Sequence, residues 1–177
     1  STFKPFIYSA ALNTGYNLST LINDAPIVFE DDNLESAWRP QNYTGKFYGP
    51  ISLREALTKS VNIVSIKLLR ELGIEKAHNF LEHFGFKKSR LPNDLSLALG
   101  SGNFSPVEMS RAYSVIATNG YIPDIYYIDS IIDRNGNIIF SHDEFDAKKE
   151  ISAFPWLDTI EMNVNKPYYL TKKKKKR

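Results

Sequence analysis

The stretch that decides the fold is Ser1-Thr2-Phe3-Lys4, and Ser60-Val61-Asn62 follows it about sixty positions later. An α-helix turns by about 100° per residue, so a serine and a lysine three positions apart share one helical face. A hydroxyl is a poor nucleophile until a neighbouring base takes its proton, and a lysine kept neutral by burial or nearby cations can be that base. The spacing therefore predicts a nucleophile at Ser1 and its base at Lys4.

The second motif needs a different local geometry. Residues at positions i and i+2 do not share a helical face, so Ser60 and Asn62 can point at one place only from a turn between helices. A capping box at 52–55 starts one short helix, and the apolar spacing predicts a second helix over 62–72. Taken singly, each motif also fits an ordinary surface helix or a helix N-cap.

The remaining patterns predict more helices and one hairpin. Apolar residues recur at three- and four-residue spacing in several segments, and β-rich runs flank Asn135-Gly136, which is the strongest short hairpin signal. Residues 17–50 carry prolines and glycines and are predicted to be irregular, with a possible short strand at 27–29. The predicted helices cover residues 1–13, 52–59, 62–72, 75–84 and 105–120, and the hairpin strands cover 126–132 and 137–140.

Composition places the chain among globular proteins. The sequence has 177 residues, 42% hydrophobic and 24% charged, which suffices for one domain with a core. The net charge is +2, although residues 172–177 are all basic, so the rest of the chain is acidic and no nucleic-acid partner is expected. The absence of cysteine excludes disulfides and thiol catalysis. No apolar run is long enough to span a bilayer, and no signal peptide is visible.

We predict neither a metal site nor a cofactor. His78 and His83 are five positions apart, so they do not share a helical face as a metal-binding i, i+4 pair would. Both histidines are therefore expected at the surface.

Several ordered blocks of sequence resemble the transpeptidase domain of class A, bifunctional penicillin-binding proteins, nearest the 1A type. The resemblance covers roughly residues 1–140, and most blocks are longer than the catalytic motifs themselves. The blocks are Ser1–Phe6, Trp38–Tyr43, Gly49–Leu57, Lys59–Asn62, Leu97–Gly100 and Ser105–Met109.

The resemblance implies an α/β (α+β) fold of the penicillin-binding protein and serine β-lactamase type. It implies mainly the helical half of that fold plus a hairpin, with the central sheet incomplete. The implied activity is that of a peptidoglycan D,D-transpeptidase, within the family of serine-type D-Ala-D-Ala carboxypeptidases. Ser1 would attack the carbonyl of a stem peptide ending in D-Ala-D-Ala and release the terminal D-Ala, and a second stem's amine would then take the acyl group. β-Lactams would mimic the dipeptide and leave a long-lived acyl-enzyme.

The resemblance also assigns roles to single residues. Lys4 would be the base acting on Ser1, Ser60 would relay a proton to the leaving group, and Asn62 would hydrogen-bond the backbone of the bound peptide. The aromatic and polar block at 38–43 suits a cleft wall in which Trp38 and Asn42 contact substrate, and a packed surface loop is the alternative. The family implies a periplasmic location at the outer face of the inner membrane. Any membrane contact would be made through an anchor upstream of this chain.

Two departures from the family pattern shape the functional expectation. The middle residue of the second motif is Val61, and the third motif, Lys-Thr-Gly, does not occur in these 177 residues. In the family that third motif supplies a cation, a hydroxyl and half of the oxyanion hole, and losing one such donor typically costs about 10²–10³ in rate. We therefore expect a truncated transpeptidase domain at 1–164, with poor activity or none by itself, and an unstructured lysine-rich tail at 165–177.

Other readings stay open at the level of sequence. The chain could be an inactive remnant or a binding module of the same fold, since Lys-Thr-Gly is absent, and a shifted reading frame would explain the lysine run. An N-terminal-nucleophile hydrolase would use a free α-amino group beside Ser1 as its base. Those enzymes open on a β-strand, whereas this chain opens on a helical pattern.

Overall fold

A computed structural model describes residues 1–29 and 38–142, and it divides the chain into two compact units. The first unit comprises residues 1–82 and 86–104, and the second comprises residues 83–85 and the chain from 105 onward. The predicted boundary at residue 164 and the predicted tail lie outside the described residues. The units are considered one at a time.

Helix α1, Lys4–Asn13, carries the first motif. Its buried positions recur at helical spacing, and Pro5 sits in the first turn, where a missing N–H leaves no hydrogen bond unmade. The helix begins at Lys4 and not at Ser1 as predicted, because Ser1 lies in the preceding turn, where its carbonyl accepts from the backbone N–H of Lys4 at 3.2 Å. Ser1 thus lies in the turn directly before α1, and Lys4 is the first residue of that helix.

Three more helices complete the helical part of the first unit. Helix α2 is Leu53–Thr58, helix α3 is Asn62–Leu72 and helix α4 is Ile74–Leu81. All three predicted helices are confirmed, and α4 ends earlier than predicted because the chain tightens into a 3₁₀ turn at Glu82–Phe84. Further 3₁₀ turns of this unit are Lys88–Arg90 and Leu95–Leu99.

A short antiparallel ribbon in the first unit is absent from the sequence prediction. Strand β1, Leu21–Asp24, pairs with strand β2, Gly49–Ser52, so that Leu21 lies opposite Ser52 and Asp24 lies opposite Gly49. Only Ile22 and Ile51 supply buried apolar side chains, one in each strand, which is too little periodicity to detect. The strand predicted at 27–29 is wrong, since only an isolated bridge between Phe29 and Trp38 forms there.

Two apolar clusters hold the first unit together. One buries the facing sides of α1, α2 and α3 against the β1–β2 ribbon, and it consists of Tyr8, Ala11, Ile22, Ile51, Leu53, Ala56, Val61, Val64 and Leu68. The other is aromatic and joins Phe3, Phe6, Phe86 and Phe104, with ring centroids 4.8–5.7 Å apart. Because Phe3 lies between Ser1 and Lys4, this aromatic packing holds the first motif in place.

The second unit contains helix α5 and a hairpin. Helix α5, Pro106–Ala117, starts with the predicted capping box, in which Ser105 and Glu108 exchange hydrogen bonds. Strands β3, Ser130–Ile132, and β4, Ile138–Ser141, pair in antiparallel fashion with a bulge. The predicted hairpin is confirmed, with shorter strands and a longer connection. The Asp133 carboxylate organises that connection by accepting from the backbone N–H groups of Asn135 and Asn137, both at 2.8 Å.

The predicted surface position of His78 is wrong. Its side chain on α4 is 5% exposed, and Nε2 donates to the carbonyl of Pro92 at 3.0 Å. Burial is possible because this hydrogen bond satisfies the ring nitrogen. Within the described residues, no helix combines the length and the apolar character that a membrane crossing requires.

Candidate active site

The amine of Lys4 lies at the centre of a polar cluster inside the first unit. Lys4 is 1% exposed, and its Nζ donates to the backbone carbonyl of Ser60 at 2.6 Å, to Ser60 Oγ at 3.0 Å and to Asn62 Oδ1 at 2.7 Å. The two sequence motifs, more than fifty residues apart, therefore meet at one nitrogen.

Burial changes the acid–base character of this amine. Loss of solvation disfavours the charged form and lowers the pKa of Lys4 from its usual 10.5 to about 8. At pH 7 a group of this pKa is neutral in about 10% of molecules, against less than about 0.1% for an exposed lysine. The amine is thus available as a base at neutral pH.

Ser60 occupies the turn between α2 and α3 with an unusual backbone conformation. Its φ is +54°, a left-handed value that non-glycine residues rarely adopt. This conformation lets both the carbonyl and the hydroxyl of Ser60 accept from Lys4. The Ser60 hydroxyl also donates to Ser1 Oγ at 3.3 Å, so it stands between the two residues of the first motif.

Ser1 is exposed, and besides the turn bond to Lys4 it makes two hydrogen bonds to other parts of the unit. Its nitrogen donates to the carbonyl of Leu99 at 3.2 Å, and its Oγ accepts from Ser60. We predicted that Lys4 would lie within reach of the Ser1 hydroxyl directly, whereas the hydrogen bonds in the structure connect the two through Ser60. The reason is that Ser1 precedes the helix and the Lys4 amine is drawn to the oxygens of Ser60 and Asn62.

Asn62 is the first residue of α3, and its amide is held at both ends. Oδ1 accepts from Lys4, while Nδ2 donates to the carbonyl of Gln41 at 2.9 Å. Because a carbonyl can only accept, Gln41 fixes the amide orientation that presents an oxygen to Lys4. The contact of Asn62 with a bound peptide stays a prediction.

The structure places the other predicted binding residues in different surroundings. Asn42 is 6% exposed, lines the pocket described next, and uses its amide for hydrogen bonds within the protein. Trp38 pairs with Phe29, with ring centroids 5.3 Å apart, and it is not among the described residues that line the pocket. Their contacts with substrate stay predictions.

A pocket of about 400 Å³ opens beside Ser1 and reaches the Ser60–Asn62 turn. Its rim includes two tyrosines that the sequence reasoning did not single out, and Tyr43 is fully exposed. Lys59 lies 4.5 Å from the centre of the Tyr48 ring and forms an ion pair with Glu55 at 2.6 Å. The only available signal was the position of Tyr43 within the block at 38–43, since Tyr48 lies in none of the blocks. The lining residues are Ser1, Asn42, Tyr43, Thr44, Tyr48, Lys59, Ser60, Val61 and Asn62.

The arrangement of these groups could activate a hydroxyl through an amine. The described residues contain no cluster of three or more histidine, cysteine or acidic side chains that could hold a metal ion. An exposed hydroxyl, a second hydroxyl beside it and a buried amine of lowered pKa form a continuous hydrogen-bonded chain. Such a set suits nucleophilic attack on a carbonyl.

Comparison with known proteins identifies a family. The sequence model of one protein family, the penicillin binding protein transpeptidase domain, matches residues 1–156. Penicillin-binding protein 1A of Pseudomonas aeruginosa is 51% identical over 140 residues, which are 79% of this chain and 17% of that protein. The chain thus spans about a sixth of the length of this curated relative.

Solved structures agree as well. A crystal structure of penicillin-binding protein 1A from Haemophilus influenzae superimposes with a TM-score of 0.75 at 38% identity, over 80% of this chain and 21% of that one. Penicillin-binding protein A of M. tuberculosis, solved as a penicillin G acyl-enzyme complex, gives a TM-score of 0.70 at 20% identity, over 85% of this chain and 39% of that one, and shows likeness of fold alone.

The chain belongs to the family of penicillin-binding protein transpeptidases. The predicted family and fold class are confirmed, since helices predominate and the described strands form only two-stranded sheets. The predicted membership of a transpeptidase family is thereby confirmed.

Proposed function

We propose that this chain carries the acylation site of a serine D,D-transpeptidase that cross-links peptidoglycan. Ser1 is the nucleophile, Lys4 the base, Ser60 the proton relay and Asn62 a binding residue. The observation that carries the proposal is the buried Lys4 amine, which is hydrogen-bonded to Ser60 Oγ and through it to Ser1 Oγ.

The surroundings of Lys4 decide where its lone pair points. A neutral lysine amine has two N–H donors and one lone pair. The Ser60 carbonyl and Asn62 Oδ1 can only accept, and at 2.6 and 2.7 Å they are the nearest partners of the nitrogen. In the neutral amine the lone pair is left to face the Ser60 hydroxyl, which accepts from Lys4 while the amine is charged and can turn its hydrogen from Ser1 to Lys4 once the amine is neutral. A proton leaving Ser1 therefore reaches Lys4 through Ser60.

The reaction proceeds in two acyl-transfer steps. Ser1 Oγ bonds to the carbonyl carbon of the penultimate D-Ala while its proton passes through Ser60 to Lys4. The C–N bond to the terminal D-Ala then breaks, and the proton returns through Ser60 to the leaving amine. In the second step the amine of another stem peptide forms a new amide bond with the acyl carbon, and Lys4 takes the proton of that amine through Ser60. The ester bond between the acyl carbon and Ser1 Oγ breaks, and the proton returns through Ser60 to Ser1 Oγ.

The expected ligands and location follow from the family. Stem peptides ending in D-Ala-D-Ala are the proposed substrates, and β-lactams are expected to acylate the same hydroxyl, in keeping with a family named for penicillin binding. Peptidoglycan is assembled outside the cytoplasm, so we expect the site to work at the extracytoplasmic face of the inner membrane. No nucleic acid partner is expected.

A second candidate function is an inactive or purely binding form of the same fold. It is favoured by Val61, which stands at the middle position of the second motif. Such a protein would hold a β-lactam or a stem peptide reversibly, without bond formation at Ser1.

Covalent labelling separates the two functions. We expect a fluorescent penicillin to form an adduct that mass spectrometry of the digested protein locates on Ser1. The Ser1→Ala variant should form none, whereas Ser19→Ala, which removes an exposed hydroxyl elsewhere in the same unit, should label as the original chain does. Reversible binding by folded protein without an adduct would refute acylation and favour the binding function. An adduct would in turn overturn the expectation that the isolated chain has little or no activity.

A further inference from the structure

The carboxylate of Asp24, at the end of β1, is buried in the first unit and takes no part in the chemistry proposed above. Asp24 is 0% exposed. Both of its oxygens accept from Asn42 Nδ2 at 2.9 Å, and Oδ2 also accepts from the backbone N–H of Tyr48 at 2.9 Å. A buried carboxylate is tolerated when N–H groups hold it in this way. Its orientation is therefore set by contacts from two segments.

Asp24 determines which way the amide of Asn42 faces. Asn42 Nδ2 donates to Asp24 and to the carbonyl of Lys46 at 2.9 Å. The carbonyl of Lys46 can only accept, so the NH₂ group belongs on this side, where it also meets the oxygens of Asp24. Asn42 Oδ1 is consequently directed to the opposite side, where it accepts from the backbone N–H groups of Asn62 at 3.0 Å and Ile63 at 3.2 Å.

These two hydrogen bonds cap helix α3 from another segment. The residue in the N-cap position, Val61, has no side-chain group that could cap the helix. The first N–H groups of a helix have no partner within it, and Asn42 supplies one for two of them. The side chain of Asn42 thus fixes the position at which α3 begins, and the helix begins with Asn62.

The start of α3 is also the wall of the Lys4 site. Asn62 presents Oδ1 to Lys4, and the turn that precedes it presents two oxygens of Ser60. Gln41, next to Asn42 in the chain, holds the other end of the Asn62 amide at 2.9 Å. A displacement of the loop at 41–42 would therefore move three acceptors of the Lys4 amine together.

We infer that Asp24 is a positioning residue: through Asn42 it fixes the start of α3 and so holds Ser60 and Asn62 around the amine of Lys4. Asp24 touches neither Ser1 nor Lys4 in this arrangement and acts only through its hydrogen-bond partners. The kinetic consequence of the inference rests on the proposed acylation of Ser1, whereas its structural consequence can be measured without any reaction.

The variant Asp24→Asn tests the inference with the smallest change in volume. One acceptor becomes an NH₂ group that faces the NH₂ group of Asn42. A flip of the Asn42 amide removes this conflict, but it withdraws Oδ1 from the N–H groups of Asn62 and Ile63. We expect the rate constant for acylation to fall by about tenfold to a hundredfold, because small displacements of reacting groups have effects of that size.

The reciprocal exchange provides a rescue. In Asn42→Asp alone, two carboxylates face one another in a buried place, and we expect a loss at least as large. In the double variant Asp24→Asn, Asn42→Asp, the new amide can donate to the new carboxylate, which still accepts from α3. The contact with the carbonyl of Lys46 is lost, so recovery is partial, and the double variant should acylate faster than either single variant. If Asn42→Asp does not fold, Asn42→Ser replaces it.

Two readouts distinguish positioning from general loss of stability. Labelling at increasing concentrations of fluorescent penicillin separates the acylation rate constant from reversible binding. If some molecules are unfolded, the amount of adduct falls but the rate constant of the folded molecules does not. Hydrogen exchange followed by NMR compares the amides of Asn62 and Ile63 with that of Leu68 in the middle of α3. His78→Ala is the control, since it removes a buried polar side chain bonded to Pro92 and should lower stability without changing either readout.

The outcomes decide the inference in each case. We expect Asp24→Asn to speed exchange at Asn62 and Ile63 by at least about tenfold relative to Leu68, and the double variant to restore part of that protection. The positioning role of Asp24 would be overturned if Asp24→Asn left both the exchange ratios and the acylation rate constant unchanged. It would also be overturned if the double variant acylated no faster, and exchanged no more slowly, than the single variants. If the unaltered chain forms no adduct, the proposed function fails, and the exchange data alone decide the role of Asp24.

Discussion

At the scale of single residues, the site depends on how Lys4 and Ser60 are held. Lys4 is buried among acceptors, and the loss of water around its amine lowers its pKa to about 8. Ser60 reaches that amine with two oxygens because its backbone adopts a left-handed conformation. Ser60 thus has a positive φ, which residues with a side chain rarely adopt, and also carries the hydroxyl that the proposed chemistry requires. Strained backbone of this kind is common at functional sites.

Replacing Ser60 separates its backbone role from its hydroxyl. Ser60→Gly and Ser60→Ala both remove the relay, so we expect both to lower the acylation rate by about 10²–10⁴. Glycine adopts positive φ without strain, and Ser60→Gly should therefore be more stable than Ser60→Ala by roughly 1 kcal/mol. Urea unfolding measures the difference in stability. Equal stabilities would show that the turn is unstrained, and full acylation in either variant would exclude the hydroxyl as a relay.

At the scale of elements, α3 joins the core to the site. Its first residue lines the site, while Val64 and Leu68 are fully buried in the cluster that also contains residues of α1, α2 and the β1–β2 ribbon. The helix can place Asn62 accurately because one face of it is packed along its length. Core packing and site geometry are therefore properties of the same element.

Truncation of the core face of α3 should lower stability more than it changes chemistry. We expect Leu68→Ala to reduce the free energy of unfolding by about 2–5 kcal/mol, because it leaves a cavity between packed elements. Lys76→Ala, at an exposed position of α4, is the control and should change it by no more than about 0.5 kcal/mol. Urea unfolding provides both values. A loss for Leu68→Ala as small as that of the control would contradict the assignment of this face to the core.

Sequence patterns predicted the helices that carry the site more successfully than they predicted the contacts that hold the site together. The capping box at 52–55 and the apolar spacing over 62–72 are local signals, and they predicted the start of α2 and the bounds of α3 correctly. The ribbon at 21–24 and 49–52 escaped prediction because each strand contributes only one buried apolar side chain. Strands this short are stabilised by packing against helices that are distant in sequence.

In the site, too, local relations were predicted and contacts between distant segments were not. The spacing of Ser1 and Lys4 and the break at Ser60 indicated a nucleophile and a base, because those relations are local. The hydrogen bonds between Asp24 and Asn42, and between Asn42 and the start of α3, join segments 18 to 21 residues apart. No periodicity reports such contacts, and an aspartate at the end of a short strand resembles any surface carboxylate.

At the scale of the whole molecule, the residues proposed for catalysis belong to one of the two units. Ser1, Lys4, Ser60 and Asn62 all lie in the unit formed by residues 1–82 and 86–104. Helix α5 and the β3–β4 hairpin belong to the other unit. Substitutions within the second unit should therefore change stability without changing the acylation of Ser1.

The capping box of α5 offers a direct test of that separation. We expect Ser105→Ala to lower stability by about 1 kcal/mol, because the N–H of Glu108 loses its partner. Acylation of Ser1 in folded protein should be unchanged. Ser110→Ala, an exposed position inside α5, serves as the control and should not destabilise, since alanine favours helices. A fall in the acylation rate constant of Ser105→Ala alone would show that the second unit contributes to the chemistry.

The most direct test of the proposed chemistry is the pH dependence of Ser1 acylation by a fluorescent penicillin. Because only the neutral amine of Lys4 can accept the proton, the rate constant should rise about tenfold per pH unit below a midpoint near the lowered pKa of Lys4, about 8, and level off above it. Lys4→Arg, whose guanidinium stays charged, should acylate far more slowly at every pH. A rate constant that does not change between pH 6 and 9, with Lys4→Arg as fast as the original chain, would contradict the role of Lys4 as the base.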